Sequence, residues 1–76
     1  MDYKKHTKDR FKERFGQNMS DTEYFELTEI ARLNPNKVKV SNKASKVIVN
    51  FKGNDITCIL SYKKKIVKTV YPAEVN

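Results

Sequence analysis

From Lys46 to Tyr71 apolar and polar residues alternate with a period of two, whereas residues 2–33 repeat their apolar positions every third or fourth residue. The first pattern is that of strands and the second that of helices. In the strand region Val47, Val49 and Phe51 alternate with Lys46, Ile48 and Asn50; then Ile56, Cys58, Leu60 and Tyr62 alternate with Thr57, Ile59 and Ser61. A two-residue loop at Gly53-Asn54 would set Phe51 opposite Ile56, Val49 opposite Cys58 and Val47 opposite Leu60. Both apolar sets then share one face, an agreement that a slip of one residue would destroy.

Before the hairpin, Val38 and Val40 alternate with Lys37 and Lys39 and read as a short, basic edge strand. Asn42 to Ser45 connects it to the hairpin, and Lys63-Lys64-Lys65 leads to a last strand ending in Ile-Val-Lys-Thr-Val-Tyr. With Lys64-Lys65 as a two-residue loop, Leu60 faces Thr69, Tyr62 faces Val67 and Cys58 faces Tyr71. The opposite face is left with a row of Ile48, Ile59 and Val70, read as a surface for a homodimer or a docked partner.

The helical patterns carry clear punctuation. Tyr3, Thr7, Phe11 and Phe15 form a stripe at every fourth residue, and Gly16 ends it. Beside it runs a polar stripe with the same spacing, His6, Arg10 and Arg14. In the next segment Ser20 with Glu23 is a capping box, and Met19 with Tyr24 a hydrophobic staple. Tyr24, Leu27 and Ala31 make the inward stripe, widened by Ile30, until Asn34-Pro35-Asn36 stops it. The predicted elements are helices at about 2–15 and 21–33 and strands at about 37–41, 46–52, 55–62 and 66–71. Together they form a single α+β domain over 1–76, order ααββββ, with both helices on one face of a three- to four-stranded antiparallel sheet.

Composition changes the picture in three ways. Seventy-six residues bury too little surface for a deep internal pocket, so any site is a face or an edge. The single cysteine, Cys58, falls at an inward strand position and reads as a core residue in a reduced compartment; with no apolar leader or membrane span, the expected location is the cytoplasm. The net charge of +7 is uneven: residues 1–14 hold six basic and three acidic side chains, residues 20–34 one and four, and residues 37–68 nine lysines against Asp55. A basic helix and sheet beside an acidic helix suit a polyanion, above all nucleic acid, or an acidic protein surface. The same lysines also serve to blunt strand edges.

The chain has no phosphate-binding glycine loop, no paired cysteines or histidines for zinc and no nucleophile elbow, and it implies neither metal nor cofactor. What remains is one histidine, a border of arginines, and Lys68, Thr69 and Tyr71 on the last strand. Metal-free RNA cleavage needs a base, an acid and a cation at the phosphorane, which His6, Tyr71 and Arg10 or Arg14 could supply if they met.

The opening HTKDRFKERF and the close IVKTVY resemble those of small phage- and plasmid-borne proteins, which in turn are similar to the RelE and barnase-like group of compact RNase toxins. That resemblance covers both ends and hardly the middle. It implies helices on one face of an antiparallel sheet and a site carried by His6, Arg10, Thr69 and Tyr71. The chain departs from the group's pattern in lacking a strand before the first helix and in offering lysines where arginines are usual. Two functional classes follow. One is a small basic nucleic-acid-binding domain of RelE-like type, RNA first, with or without ribonuclease activity; Lys37, Lys39, Lys63, Lys64, Lys65 and Lys68 meet phosphates, flanked by the His6-Arg10-Arg14 border, with Arg14 and Thr69 counted among the binding residues. The other is a non-catalytic phage-type inhibitor using the same charge on a host protein or nucleoprotein complex.

Overall fold

The structure is a computed structural model and describes residues 2–73. Helices α1 (Tyr3–Phe15) and α2 (Asp21–Leu33) precede four strands, β1 (Val38–Ser41), β2 (Ala44–Phe51), β3 (Asn54–Ser61) and β4 (Val67–Pro72). The strands form one antiparallel sheet in the order β1-β2-β3-β4. This is the expected α+β arrangement.

Local chemistry explains the helix ends. The Asp2 carboxylate accepts from the Lys5 backbone N–H at 3.0 Å, and Gly16 closes α1 in the left-handed region at φ 68°. At α2 the capping box is complete: Glu23 N–H donates to Ser20 Oγ at 3.1 Å and Ser20 N–H to Glu23 Oε1 at 2.8 Å. Phe11, Tyr24, Leu27 and Ala31 meet Val47, Ile56, Cys58 and Val70 in one core, and Phe11 lies edge-on to Phe51 with ring centroids 6.3 Å apart. Ile30 does not widen this stripe; it is exposed, and the buried Thr28 takes the inward place.

Three register details differ from expectation. The β2–β3 turn is Lys52-Gly53, with φ of 53° and 81°, so Phe51 pairs with Asn54, Val49 with Ile56 and Val47 with Cys58. Two consecutive left-handed residues make the type I′ turn that matches strand twist. The Asn54 amide is used instead to bind Gln17 Oε1 at 2.9 Å and the Lys52 carbonyl at 3.2 Å. Because the shift is two residues, the buried face is unchanged. Secondly, β2 begins at Ala44, leaving Asn42-Lys43 as a tight connection to β1.

The third difference lies in β4. The connection from β3 is longer than two residues, closed by Lys65 N–H to the Ser61 carbonyl at 2.8 Å and Ser61 N–H to the Ile66 carbonyl at 2.9 Å. A bulge then places Leu60 opposite Val67 but Ile59 opposite Thr69, which leaves Lys68 as the extra residue. The phase of β4 is thereby reversed beyond Lys68. Val70 pairs with Cys58 and is completely buried, while Thr69 and Tyr71 pair with Ile59 and Thr57 on the uncovered face. The expected row of Ile48, Ile59 and Val70 is therefore broken, and Val70 belongs to the core.

Backbone groups beside the bulge are paired by the helices. The Val67 carbonyl accepts from Tyr24 Oη at 2.7 Å and Thr7 Oγ1 at 3.3 Å, and its N–H donates to Thr28 Oγ1 at 3.4 Å. Arg14 Nη1 reaches the Val70 carbonyl at 2.7 Å, with its guanidinium 4.4 Å from the Tyr71 ring centre. Among the described residues no helix is long and apolar enough to cross a membrane.

Candidate nucleic-acid interface

The antiparallel meander puts the Asn42-Lys43 turn and the Tyr62–Ile66 connection at the same end of the sheet. Tyr62 N–H donates to the Lys43 carbonyl at 3.0 Å and locks the two turns together. The first residue of α1, Tyr3, arrives at this end because Thr7 is anchored to Val67 one turn further on. A cleft of about 450 Å³ results, walled by Tyr3, Tyr62, Lys43, Lys63, Lys64 and Lys68. Among the described residues no carboxylate lines it.

Charge and aromatic surface are held in a defined relation there. The ammonium groups of Lys64 and Lys68 lie 5.2 Å and 5.5 Å from the centre of the Tyr3 ring, within cation–π range, so one tyrosine restrains two otherwise flexible cations. Tyr62 is 43% exposed. The bulge matters directly, because it turns Lys68 towards Tyr3 at the rim of β4. Ser61 Oγ accepts from Lys64 N–H at 3.2 Å and fixes the turn that carries the lysines. Positive side chains converging on tyrosines without a competing carboxylate can take a phosphate chain and stack a base.

The sequence-predicted site residues divide into separate groups. Lys63, Lys64 and Lys68 meet in this cleft; Lys65, beside them in sequence, lies with Lys37 in a second cleft on the other side of Tyr62. Lys37 Nζ binds the carbonyls of Arg32 and Asn34 and so closes the C-terminus of α2. Lys39 is exposed on β1, apart from both. Thr69 lies on the uncovered sheet face with Ile59, and Ile48 is 55% exposed on that same face.

The proposed catalytic set is not assembled. Tyr71 stands against Arg14, whereas His6 lies eight residues earlier on α1, about 12 Å along the helix axis. Arg10 is engaged by Glu13 at 2.7 Å. A base and an acid serving one phosphodiester must both reach it, and α1 runs alongside β4, which keeps His6 and Tyr71 at opposite ends of their contact. Cys58 has its thiol pushed up to about 12 by burial, so it is neither nucleophile nor ligand near neutral pH. Among the described residues no three His, Cys, Asp or Glu side chains are grouped to hold a metal ion.

Tyr3, Lys43 and Tyr62 escaped the sequence reading. Periodicity assigns end residues to the face of their element, which puts Tyr3 in the apolar stripe of α1 and Tyr62 in the inward row of β3. The signal available was aromatic residues within a few positions of lysine runs at element ends. Comparison with family models, curated proteins and solved structures finds no match to this chain.

Proposed function

We propose that the chain binds nucleic acid, RNA first, at the Tyr3–Tyr62 cleft, and that it does so without cutting it. The observation that carries this reading is the convergence of four lysines on two tyrosines in a cleft that no carboxylate lines among the described residues. Lysine charge gives affinity through counterion release and tyrosine gives a base a flat apolar partner. The distance between His6 and Tyr71 supports binding over cleavage. On this reading kinship with the RelE and barnase-like group lies in the fold plan and the basic rim. Action in the cytoplasm belongs to the same proposal and is supported by a lone, buried, unpaired thiol.

Fluorescence anisotropy with labelled RNA and DNA tests it. Binding is expected at low salt, with log K falling by about 0.7 per phosphate neutralised for each decade of salt on single strands. Lys64→Ala and Lys68→Ala should each weaken binding and flatten that slope, and Tyr62→Ala should remove about 1–3 kcal/mol of stacking. The labelled RNA should remain intact, with His6→Ala behaving as wild type. If neither nucleic acid is bound at low salt, the proposal fails and the basic rim is left for an acidic protein surface, the mode of a phage-type inhibitor.

A further inference from the structure

Tyr62 is a wall shared by two clefts. On its far side Arg32, Lys37, Ser45, Ser61 and Lys65 enclose a second space of about 250 Å³, again with no carboxylate in the lining among the described residues. Ser45 is 2% exposed, and its Oγ has no hydrogen-bond partner among the described residues. A buried hydroxyl is ordinarily paired, so one left without a protein partner in the wall of a basic cleft is open to a ligand oxygen or a water. Lys65 forms no ion pair among the described residues, and the partners of Lys37 there are the neutral Arg32 and Asn34 carbonyls. Arg32 shares its charge with Glu29 at 2.7 Å on the outside of the cleft.

We infer that this second cleft is a phosphate subsite for the strand held in the first, so that the bound nucleic acid is single-stranded and crosses Tyr62. The inference rests on the function proposed above. A base laid on Tyr62 then has one flanking phosphate towards Lys43, Lys64 and Lys68 and the next towards Lys65, Lys37 and the Ser45 hydroxyl. A duplex cannot follow that path, because its bases are stacked on one another and unavailable to the ring.

The test uses the full chain with a fluorescein-labelled single-stranded RNA octamer and the duplex of the same sequence, titrated at several salt concentrations. The single strand is expected to bind at least about tenfold more tightly than the duplex. Lys65→Ala should flatten its salt slope by about 0.7, and Lys65→Ala with Arg32→Gln should flatten it further. Ser45→Ala should lower affinity about threefold to tenfold at unchanged slope, since it removes an uncharged hydrogen bond. Circular dichroism melts keep folding separate: Ser45→Ala deletes an unpaired hydroxyl and Lys65 is exposed, so neither should lower the melting temperature. Equal affinity for the duplex overturns the inference. So does an octamer that responds to Lys64→Ala but not to Lys65→Ala or Ser45→Ala, an outcome that leaves nucleic-acid binding itself standing. Failure of the wild-type chain to bind either form removes both.

Discussion

Single residues carry the core in unequal shares. Phe51 is buried against Phe11, and truncation to Ala should lose about 3 kcal/mol through lost burial and the cavity left behind. For a domain whose whole stability is roughly 5–15 kcal/mol, that is enough to lower the urea midpoint sharply; an unchanged midpoint would place Phe51 outside the core. The Val67 carbonyl offers a subtler case, since Thr7 and Tyr24 both donate to it. Thr7→Val or Tyr24→Phe alone leaves one donor in place, whereas the double variant strips a buried carbonyl of both. A double-mutant cycle should therefore show a loss exceeding the sum of the singles by about 1 kcal/mol or more. Cys58 should react with a thiol reagent at pH 8 only in denaturant, because burial holds its thiol neutral; rapid labelling of the native chain would refute that.

At the level of elements, turns and helix starts are where small energies decide geometry. Gly53 sits at φ 81° with nothing within 4 Å of the position a Cβ would take, so Gly53→Ala should cost about 1 kcal/mol through backbone strain alone, with the hairpin register kept. The first turn of α2 links three elements: Asp21 meets Lys4 and Lys8 of α1, and Glu23 meets Lys52 of the β2–β3 turn. The Lys8 and Lys4 ammonium groups hold the Asp21 carboxyl below its ordinary 3.8, and the Ser20 backbone N–H with Lys52 holds Glu23 below 4.5. Carboxylates lowered in the folded state stabilise it above their unfolded values, and that contribution disappears as pH falls through the folded ones. The melting temperature should therefore drop as pH falls below about 4.5, and the drop should be shallower in Asp21→Asn/Glu23→Gln. An identical pH profile in that variant would show these links to be too screened to matter.

For the whole molecule, both helices cover one face of the sheet and leave the other open. With Val70 turned inward, that open face keeps Ile48 and Ile59 among Asn50, Thr57 and Thr69, an ordinary mixture for exposed sheet. Sedimentation at high protein concentration should accordingly show a monomer. A dimer mass that Ile48→Lys abolishes would restore the face as an interface. The strand edges point the same way: β4 has its Val70 carbonyl occupied by Arg14, while β1 carries Lys39 and an irregular register between Lys39 and Ser41.

The alternation of Val47, Val49 and Phe51 with polar neighbours, the four-residue spacing of Tyr3 to Phe15 and the Ser20–Glu23 box by themselves determined two helices, a sheet and the face that joins them. Those are local rules, complete within a few residues of chain. The same rules were silent on Lys52-Gly53 against Gly53-Asn54, because both turns bury the same residues. The choice belonged to Gln17, Asn18 and Glu23, which grip Asn54 and Lys52 from another part of the fold. Nor could periodicity foresee the bulge at Lys68, since an extra residue is stable only where Thr7, Tyr24 and Thr28 arrive to satisfy the backbone it frees. That bulge buried Val70, turned Tyr71 away from His6 and brought Lys68 to Tyr3. The lysines were legible as charge in the sequence; which of them share a cleft was decided only when the two turns and the start of α1 met at one end of the sheet.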